Sequence, residues 1–255
     1  MQILMMQFNP VWEDCETSLQ RFEVELQQAL AAEPQTRVVV LPELFASGFS
    51  MQTGRIAQSK DGAVYTALQR LSHHYGVYMV AGVALQGKDT KAQNSALVFD
   101  PQGVELACYV KNRTFDFADE GLNYEAGQQS VLFEIDGMVC SVFICYDLRF
   151  PELFRLVVPQ AQIVFVIANW PQSRQLHWET LLRARAIENQ CYLVGVNRTG
   201  TDGNGLRYAG GSMLIDPWGE VLAYADATQR WQSAEIEPAR VQAIRAKFPF
   251  LSDRR

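Results

Sequence analysis

Cys145 has the sequence surroundings that most favour chemistry in this chain. It ends an apolar run over residues 139–145, which predicts a buried strand, and Pro151 shortly after it favours the start of a helix. A strand that ends on a thiol before a turn and a helix places that thiol on a sharp elbow. Backbone N–H groups at such an elbow favour the thiolate, so we expect a nucleophilic cysteine.

Two other predicted strands end on groups that could assist this thiol. Glu43 follows the buried run 38–41, and a carboxylate in an apolar neighbourhood is suited to proton transfer. Lys111 follows the strand predicted at 104–110, where its ammonium could stabilise an oxyanion. Glu120 could hold that ammonium by a salt bridge. Three reactive side chains at strand ends predict one site.

Each of these residues has a simpler interpretation when it is considered alone. Strand-end glutamates and lysines are usually solvated, and cysteines are often small buried hydrophobes. The chain has three histidines, of which only His177 could form a Cys–His pair. Its place at a predicted helix start favours a packing role, so Glu43 is the favoured base. His73 and His74 point in different directions on a helix, and no metal site is predicted.

Predicted helices and strands alternate along the whole chain. The apolar periodicity predicts amphipathic helices near 19–30, 64–75 and 177–190, and strands at 77–85, 163–168, 191–196, 211–215 and 220–224. Several strands are apolar throughout and therefore need cover on both faces. About a dozen strands with few helices predict an α/β fold, a four-layer α-β-β-α sandwich of two stacked sheets. A single doubly wound sheet is the alternative.

The composition is that of an ordinary globular protein. The 255 residues, 48% apolar and 20% charged, are predicted to form a single domain over 1–255. A net charge of −6 without a basic patch argues against a nucleic-acid partner. No apolar stretch approaches the roughly 18 residues of a membrane span, and the N-terminus predicts a strand instead of a signal peptide. Five cysteines without paired spacing indicate reduced thiols, so we expect a cytoplasmic protein.

The segments around the three reactive residues resemble the signature blocks of the nitrilase superfamily, the carbon–nitrogen hydrolases. The blocks are Leu-Pro-Glu-Leu-Phe at 41–45, Tyr-Val-Lys-Asn-Arg at 109–113 and Ile-Cys-Tyr-Asp-Leu-Arg-Phe-Pro-Glu at 144–152. Their order and their spacings, 68 residues from Glu43 to Lys111 and 34 from Lys111 to Cys145, match that family. The resemblance implies the four-layer fold and a Glu–Lys–Cys site supported by Glu120.

Within the superfamily, the blocks at 146–152 and 169–178 look most like those of YafV-type omega-amidases. This resemblance implies hydrolysis of the terminal amide of a 2-oxo dicarboxylic acid monoamide, such as 2-oxoglutaramate or 2-oxosuccinamate. A Cys145 thioester would be the intermediate, Glu43 would transfer protons, and Lys111 with the backbone N–H of Tyr146 would hold the oxyanion. The expected partners are this small-molecule amide and water, with no metal or organic cofactor.

The resemblance leaves some points open. Residues 112–117 read Asn-Arg-Thr-Phe-Asp-Phe, where such relatives more often have Lys-Arg-His-Leu-Phe, so substrate choice is not determined. A nitrile hydrolase or N-carbamoyl amide hydrolase of the same superfamily and a non-enzymatic metabolite-binding protein are the alternatives. A homodimer or larger homo-oligomer is also implied, with the tail of about 238–255 as its expected interface.

A substrate that carries a carboxylate requires a cation in the site. Arg149, Arg174 and Arg198 lie near predicted strand ends, and Arg174 is preferred because it follows Trp170 in one loop. For Arg149 the alternative is an ion pair with Asp147 or Glu188.

Other substrate contacts are expected from the same segments. These are Phe117 and Trp170 as pocket walls, with core packing as the alternative for each, and Asn169.

Overall fold

Two six-stranded sheets form the centre of this computed structural model, which describes residues 1–88 and 90–253. The strands are β1 (Gln2–Met6), β2 (Thr36–Val40), β3 (Tyr78–Gln86), β4 (Ala92–Phe99), β5 (Glu105–Val110), β6 (Phe133–Ile135), β7 (Met138–Ile144), β8 (Ile163–Ala168), β9 (Tyr192–Asn197), β10 (Thr199–Thr201), β11 (Arg207–Ala209), β12 (Ser212–Ile215), β13 (Val221–Ala225) and β14 (Trp231–Glu235). The helices are α1 (Cys15–Ala32), α2 (Thr53–Ile56), α3 (Ala63–Tyr75), α4 (Glu120–Asn123), α5 (Pro151–Val157), α6 (Gln175–Asn189) and α7 (Pro238–Lys247).

The two sheets have the same plan. The first has the order β14-β1-β2-β3-β4-β5 and the second has the order β13-β12-β9-β8-β7-β6. In each sheet three neighbouring strands are parallel, β1 to β3 in the first and β7 to β9 in the second, and the remaining pairs are antiparallel. A separate hairpin of β10 and β11 extends from the end of β9.

The sheets stack face to face and helices cover their outer faces. On β2, Val38 and Val40 belong to the core between the sheets, whereas Val39 packs with residues of α1 and α3. Trp178 and Leu182 of α6 are wholly buried against the second sheet. The predicted α-β-β-α sandwich is therefore confirmed and the single-sheet alternative is wrong. Strands such as β8 are apolar throughout because both of their faces are buried.

The functional residues follow strands that end at one edge of this stack. Strand β5 runs in the same direction as β2 and β3, because the antiparallel β4 lies between β3 and β5. In the second sheet, β7, β8 and β9 are parallel to one another. The carboxyl ends of parallel strands are where open α/β folds place their ligand sites.

Candidate active site

Glu43 lies in a segment that follows β2 and continues alongside β3. The N–H of Phe45 donates to the carbonyl of Gly82 at 2.9 Å, and the N–H of Gly82 donates to the carbonyl of Pro42 at 3.1 Å. A Cβ on Gly82 would lie 2.4 Å from the Cα of Glu43. Glycine is thus required at this position, and it lets the Glu43 segment lie directly against the sheet.

Cys145 occupies a strained elbow directly after β7. Its φ is +46°, in the left-handed region that non-glycine residues rarely adopt. A single 3₁₀ turn over Cys145–Arg149 follows and leads into α5. The N–H of Ile144 donates to Oδ2 of Asp147 at 3.0 Å, which closes the turn. The thiol therefore lies at a strand-to-helix elbow.

Lys111, just after β5, connects two buried carboxylates. Its Nζ lies 2.9 Å from Oε1 of Glu43 and 2.9 Å from each carboxylate oxygen of Glu120. The side-chain amide of Asn94 on β4 donates to the same two residues, at 2.7 Å to Glu43 and 2.9 Å to Glu120. All four residues are buried. Two carboxylates, one ammonium and one amide thus form a closed hydrogen-bonded cluster.

Charge and burial in this cluster decide the resting protonation states. Burial alone would lower the pKa of Lys111, but Glu120 and Glu43 raise it well above its ordinary value, so the ammonium persists. Burial, together with the charge of Glu43, raises the pKa of the Cys145 thiol well above its ordinary value, despite the opposing charge of Lys111. The elbow, which by itself favours the thiolate, therefore does not lower the pKa of this thiol overall. Desolvation and a neighbouring carboxylate outweigh the N–H groups of the elbow.

The reactive residues line one cavity of about 250 Å³. Glu43, Lys111 and Cys145 all contribute to it, as do the predicted residues Tyr146 and Trp170. Its remaining walls come from loops at the same edge of the stack, among them Trp12, Phe49, Phe115, Leu206 and Tyr208. The cavity therefore combines a thiol, a carboxylate and an ammonium with a largely aromatic surround.

Two of the sequence-predicted contacts do not lie in the cavity. Phe117 is 90% exposed, because the 3₁₀ turn Asp116–Ala118 directs it outward, and Phe115 takes its place in the wall. Arg198 is buried outside the cavity, with Nη2 2.7 Å from Oδ1 of Asn9 and its guanidinium over the ring of Tyr208. Neither residue is placed to contact a bound substrate.

Arg149 and Arg174 both line the cavity. The guanidinium of Arg149 lies 4.7 Å from the ring centre of Trp170, and that of Arg174 lies 5.5 Å from the ring centre of Phe115. Among the described residues, neither arginine has an acidic partner within 4.0 Å. The ion pairs considered for Arg149 are absent, because Asp147 accepts from other donors and Glu188 pairs with Arg185.

Asn169, at the end of β8, holds Glu43 in place. Its N–H donates to Oε2 of Glu43 at 2.8 Å, and its side-chain amide donates to the carbonyl of Glu43 at 2.6 Å. Its own carbonyl accepts the Cys145 thiol at 3.8 Å. His177 is exposed and contacts Nη2 of Arg149 at 3.2 Å instead. The Cys–His pair is therefore not present.

Sequence reasoning missed Asn94 as a member of the cluster and Asp147 as the residue that closes the elbow. Asn94 lies within β4, in the middle of the polar run Gln93-Asn94-Ser95 in a strand of otherwise apolar residues. A polar residue inside a buried strand needs a hydrogen-bond partner, and this was the available signal.

This fold and this cluster define a cysteine-dependent hydrolase in which a carboxylate and a lysine surround the nucleophile. The chain belongs to the carbon–nitrogen hydrolase family, whose sequence profile matches residues 3–246. The resemblance predicted from the three blocks is thus confirmed.

Individual relatives agree with this assignment. Omega-amidase YafV of Escherichia coli K12 is 37% identical over 254 residues, covering 99% of this chain and 96% of the relative. The 2-oxoglutaramate amidase of Bacillus subtilis is 36% identical over 218 residues, covering 85% and 84%. The structure of XC1258 from Xanthomonas campestris, a CN-hydrolase superfamily protein with an arsenic adduct in its active site, superposes with a TM-score of 0.91 at 32% identity, covering 100% and 97%. These likenesses support the predicted omega-amidase type.

Proposed function

We propose that this protein hydrolyses the terminal amide of a 2-oxo dicarboxylic acid monoamide, such as 2-oxoglutaramate or 2-oxosuccinamate, to a carboxylate and ammonia. The observation that carries the proposal is the Lys111 ammonium 2.9 Å from Glu43, in the cavity that Cys145 also lines. Two arginines line the same cavity, and neither has an acidic partner among the residues that the structure describes. The cluster suits an amide, and the arginines suit a carboxylate at the other end of the substrate. Relatives named as omega-amidase and 2-oxoglutaramate amidase support the same substrate class.

In the first half-reaction, Glu43 takes the thiol proton as Sγ of Cys145 bonds to the amide carbonyl carbon. A neutral thiol beside a base loses its proton only as this bond forms. The carbonyl electron pair moves to oxygen, where the Lys111 ammonium and the N–H of Tyr146 stabilise it. One such donor contributes roughly 3–4 kcal/mol to transition-state stabilisation. The C–N bond then breaks, Glu43 protonates the leaving nitrogen, and ammonia departs from a thioester.

In the second half-reaction, water replaces the departed ammonia. Glu43 takes a proton from this water, whose oxygen bonds to the thioester carbon. The C–S bond breaks, and the sulfur of Cys145 recovers its proton from Glu43. Glu120 keeps Lys111 in position through both steps, since it accepts from the ammonium with both oxygens.

We propose that Arg149 and Arg174 bind the substrate carboxylate. Each guanidinium lies over an aromatic ring, which orients the plane and leaves N–H donors for a bidentate contact. Lys111 is already paired with two carboxylates, so these arginines are the cations of the cavity wall that are open to a ligand.

The acidic residues in the cavity wall favour a 2-oxo group over a 2-amino group. Asp202 already accepts from the hydroxyl of Tyr208 at 2.8 Å and from the N–H groups of Asn204 and Leu206. Glu13 pairs with Arg55 at 3.2 Å. Among the described residues of the cavity wall, each carboxylate already accepts hydrogen bonds, and a substrate ammonium would lie near two guanidinium groups, so glutamine should be a poor substrate.

A substrate panel tests this proposal. Ammonia release should be fastest from 2-oxoglutaramate, slower from glutamine, and undetectable from a nitrile or an N-carbamoyl amino acid. Cys145→Ala, Glu43→Gln and Lys111→Ala should each abolish ammonia release without unfolding the chain. Preferred turnover of the nitrile or the carbamoyl compound would replace the proposed activity by another in the same superfamily. No turnover of any compound, together with a Cys145 that does not react with iodoacetamide, would favour a metabolite-binding protein.

Arginine variants separate carboxylate binding from chemistry. Arg149→Ala and Arg174→Ala should raise KM for 2-oxoglutaramate more than they lower kcat, since the arginines bind the far end of the substrate. Arg183→Ala, an exposed arginine on α6, is the matched control and should leave both constants unchanged. An unchanged KM in both cavity variants would show that the substrate carboxylate binds elsewhere.

We also propose that the chain is a single domain that forms a cytoplasmic homo-oligomer. Among residues 1–88 and 90–253, no helix has the length and apolarity to cross a bilayer.

Exposed apolar groups at the C-terminal end support an interface between subunits. Phe250 is 58% exposed, and the ring centre of Trp218 lies 4.6 Å from that of Phe248. Analytical ultracentrifugation should detect an oligomer that Phe250→Asp weakens. A monomer at all concentrations would exclude this interface.

A further inference from the structure

A buried hydrogen bond connects the two sheets directly beneath the candidate active site. The hydroxyl of Tyr109, on β5 of the first sheet, donates to Oδ2 of Asp147, after β7 of the second sheet, at 2.8 Å. Both side chains are fully buried, and neither lines the cavity. No step of the proposed reaction uses either residue.

The same two side chains also bind the backbone on both sides of this junction. Asp147 accepts from the N–H of Ile144 at 3.0 Å and from the N–H of Arg113 at 2.9 Å. The hydroxyl of Tyr109 accepts from the N–H of Asn112 at 3.3 Å. The pair therefore holds the residues just after Lys111 and the residue just before Cys145.

We propose that Tyr109 and Asp147 are positioning residues that set the Lys111 ammonium against the strained Cys145 elbow. This inference rests on the proposed function of that site. Lys111 lies two residues after Tyr109, and Cys145 lies two residues before Asp147. The positive φ of Cys145 persists only if its surroundings hold it, and Asp147 supplies the nearest restraint. An oxyanion donor or a nucleophile displaced by about 1 Å can cost on the order of 10²-fold in rate.

Protonation of Asp147 should release this restraint. Burial raises the pKa of Asp147 to about 6, against the opposing effects of the Ile144 N–H, the Lys111 ammonium and the Tyr109 hydroxyl. A protonated carboxyl carries no charge and presents one O–H donor, so it accepts more weakly from its three present donors. Of the charged and titratable groups, those of Tyr109 and Lys111 face Asp147, whereas Arg113 contacts it through its backbone N–H.

A second tyrosine–aspartate contact provides a matched control. Tyr78 on β3 donates to Oδ1 of Asp136 at 3.1 Å, in the turn between β6 and β7, so it also joins the two sheets. It lies outside the cavity. Tyr78→Phe removes the same hydroxyl from a more exposed contact between the same two sheets, one that does not reach Lys111 or Cys145.

The test compares Tyr109→Phe, Asp147→Asn, the double variant and Tyr78→Phe in the full chain. Tyr109→Phe should lower kcat for 2-oxoglutaramate on the order of 10²-fold with KM nearly unchanged. It should also slow iodoacetamide labelling of Cys145, while Tyr78→Phe changes neither. The double variant should be no slower than Asp147→Asn, because both substitutions remove one shared interaction. The wild-type loss of kcat on acidification through about pH 6 should be absent from Asp147→Asn.

Several results would overturn the proposal. If Tyr109→Phe has the same kcat and the same Cys145 labelling rate as Tyr78→Phe, both tyrosines contribute only to stability. This conclusion would hold whether or not the melting temperatures of the two variants differ. Additive losses in the double variant would show that the two residues act separately. If the wild-type enzyme fails to release ammonia from 2-oxoglutaramate, the proposed function fails, but the ratio of labelling rates still tests the positioning role. If Asp147→Asn fails to fold, the comparison of Tyr109→Phe with Tyr78→Phe still tests the proposal, because each of these variants lacks only one hydroxyl.

Discussion

The side-chain amide of Asn94 donates to Oε1 of Glu43 at 2.7 Å, and its second contact, to Glu120, is 2.9 Å long. Lys111 supplies one positive charge to these two carboxylates, so the cluster carries an excess of negative charge. Asn94 adds two N–H donors without adding charge. It thereby satisfies an oxygen of each carboxylate in a buried site.

We expect Asn94→Ala to impair both stability and catalysis. Two buried carboxylate oxygens would lose a donor, at a cost of about 1–3 kcal/mol in the free energy of unfolding, and more if the group is charged. The kcat for ammonia release should fall because Glu43 loses its orientation. Asn94→Asp should be worse, since a third carboxylate would replace the two N–H donors and repel the other two carboxylates. Gln93→Ala, on the same strand with its side chain toward Glu125, is the control and should retain wild-type kcat.

The resting Cys145 thiol should be protonated across the neutral range. Burial and the charge of Glu43 raise its pKa, so thiolate absorbance and alkylation rate should show no inflection between neutral and mildly alkaline pH. Glu43→Gln removes the charge that raises this pKa and should bring the inflection to lower pH. Lys111→Met removes a charge that lowers this pKa and should move the inflection to higher pH. A wild-type inflection near or below neutral pH would contradict this prediction. The Cys145→Ala variant serves as the control, because its signal gives the contribution of the other thiols, which is then subtracted.

Gly82→Ala, on β3, should damage the site by displacing the Glu43 segment that lies against it. The added methyl would lie 2.4 Å from Cα of Glu43 and 2.6 Å from N of Leu44, and these backbone atoms cannot yield as a flexible side chain can. Overpacking of this kind costs about 1–3 kcal/mol, and here it also displaces the general base. Chemical denaturation should therefore show a lower free energy of unfolding, and kcat should fall as well. Gly54→Ala has open space around the new methyl and should change neither.

Stability should depend on pH through Asp147 in a direction opposite to most acids. Folding raises its pKa from the ordinary 3.8 to about 6, so the folded state binds the proton more tightly. Its stabilising contribution is present below about pH 4 and is lost as pH rises through about 6. The full difference corresponds to roughly 3 kcal/mol.

Urea unfolding of wild type and Asp147→Asn over this range measures the effect. The free energy of unfolding of the wild type, relative to that of Asp147→Asn, should grow as pH falls from about 6 to about 4. Asp136 is a control that should stay constant over this range, because its hydrogen bond with Arg37 lowers its pKa from the ordinary 3.8, so its contribution is lost only at still lower pH. A constant difference between wild type and Asp147→Asn at every pH would contradict the prediction.

The sequence by itself determined the reactive side chains and the elements that carry them. Apolar runs ending on or just before Glu43, Lys111 and Cys145 are local signals, and buried strands produce such runs wherever both faces are covered. The strand predicted at 163–168 is β8 with the same bounds, and the helix predicted from about 177 begins two residues earlier. Strand-end chemistry could thus be located before any contact was known.

Only the tertiary structure decided how these groups act on one another. Asn94 meets Glu43 across 51 residues of chain, and Tyr109 meets Asp147 across 38, from opposite sheets. The raised pKa of Cys145, the outward direction of Phe117 and the positions of Arg149 and Arg174 at the cavity all depend on contacts with distant segments. Burial and charge are set by packing between distant segments, and local sequence does not encode the distances on which both depend.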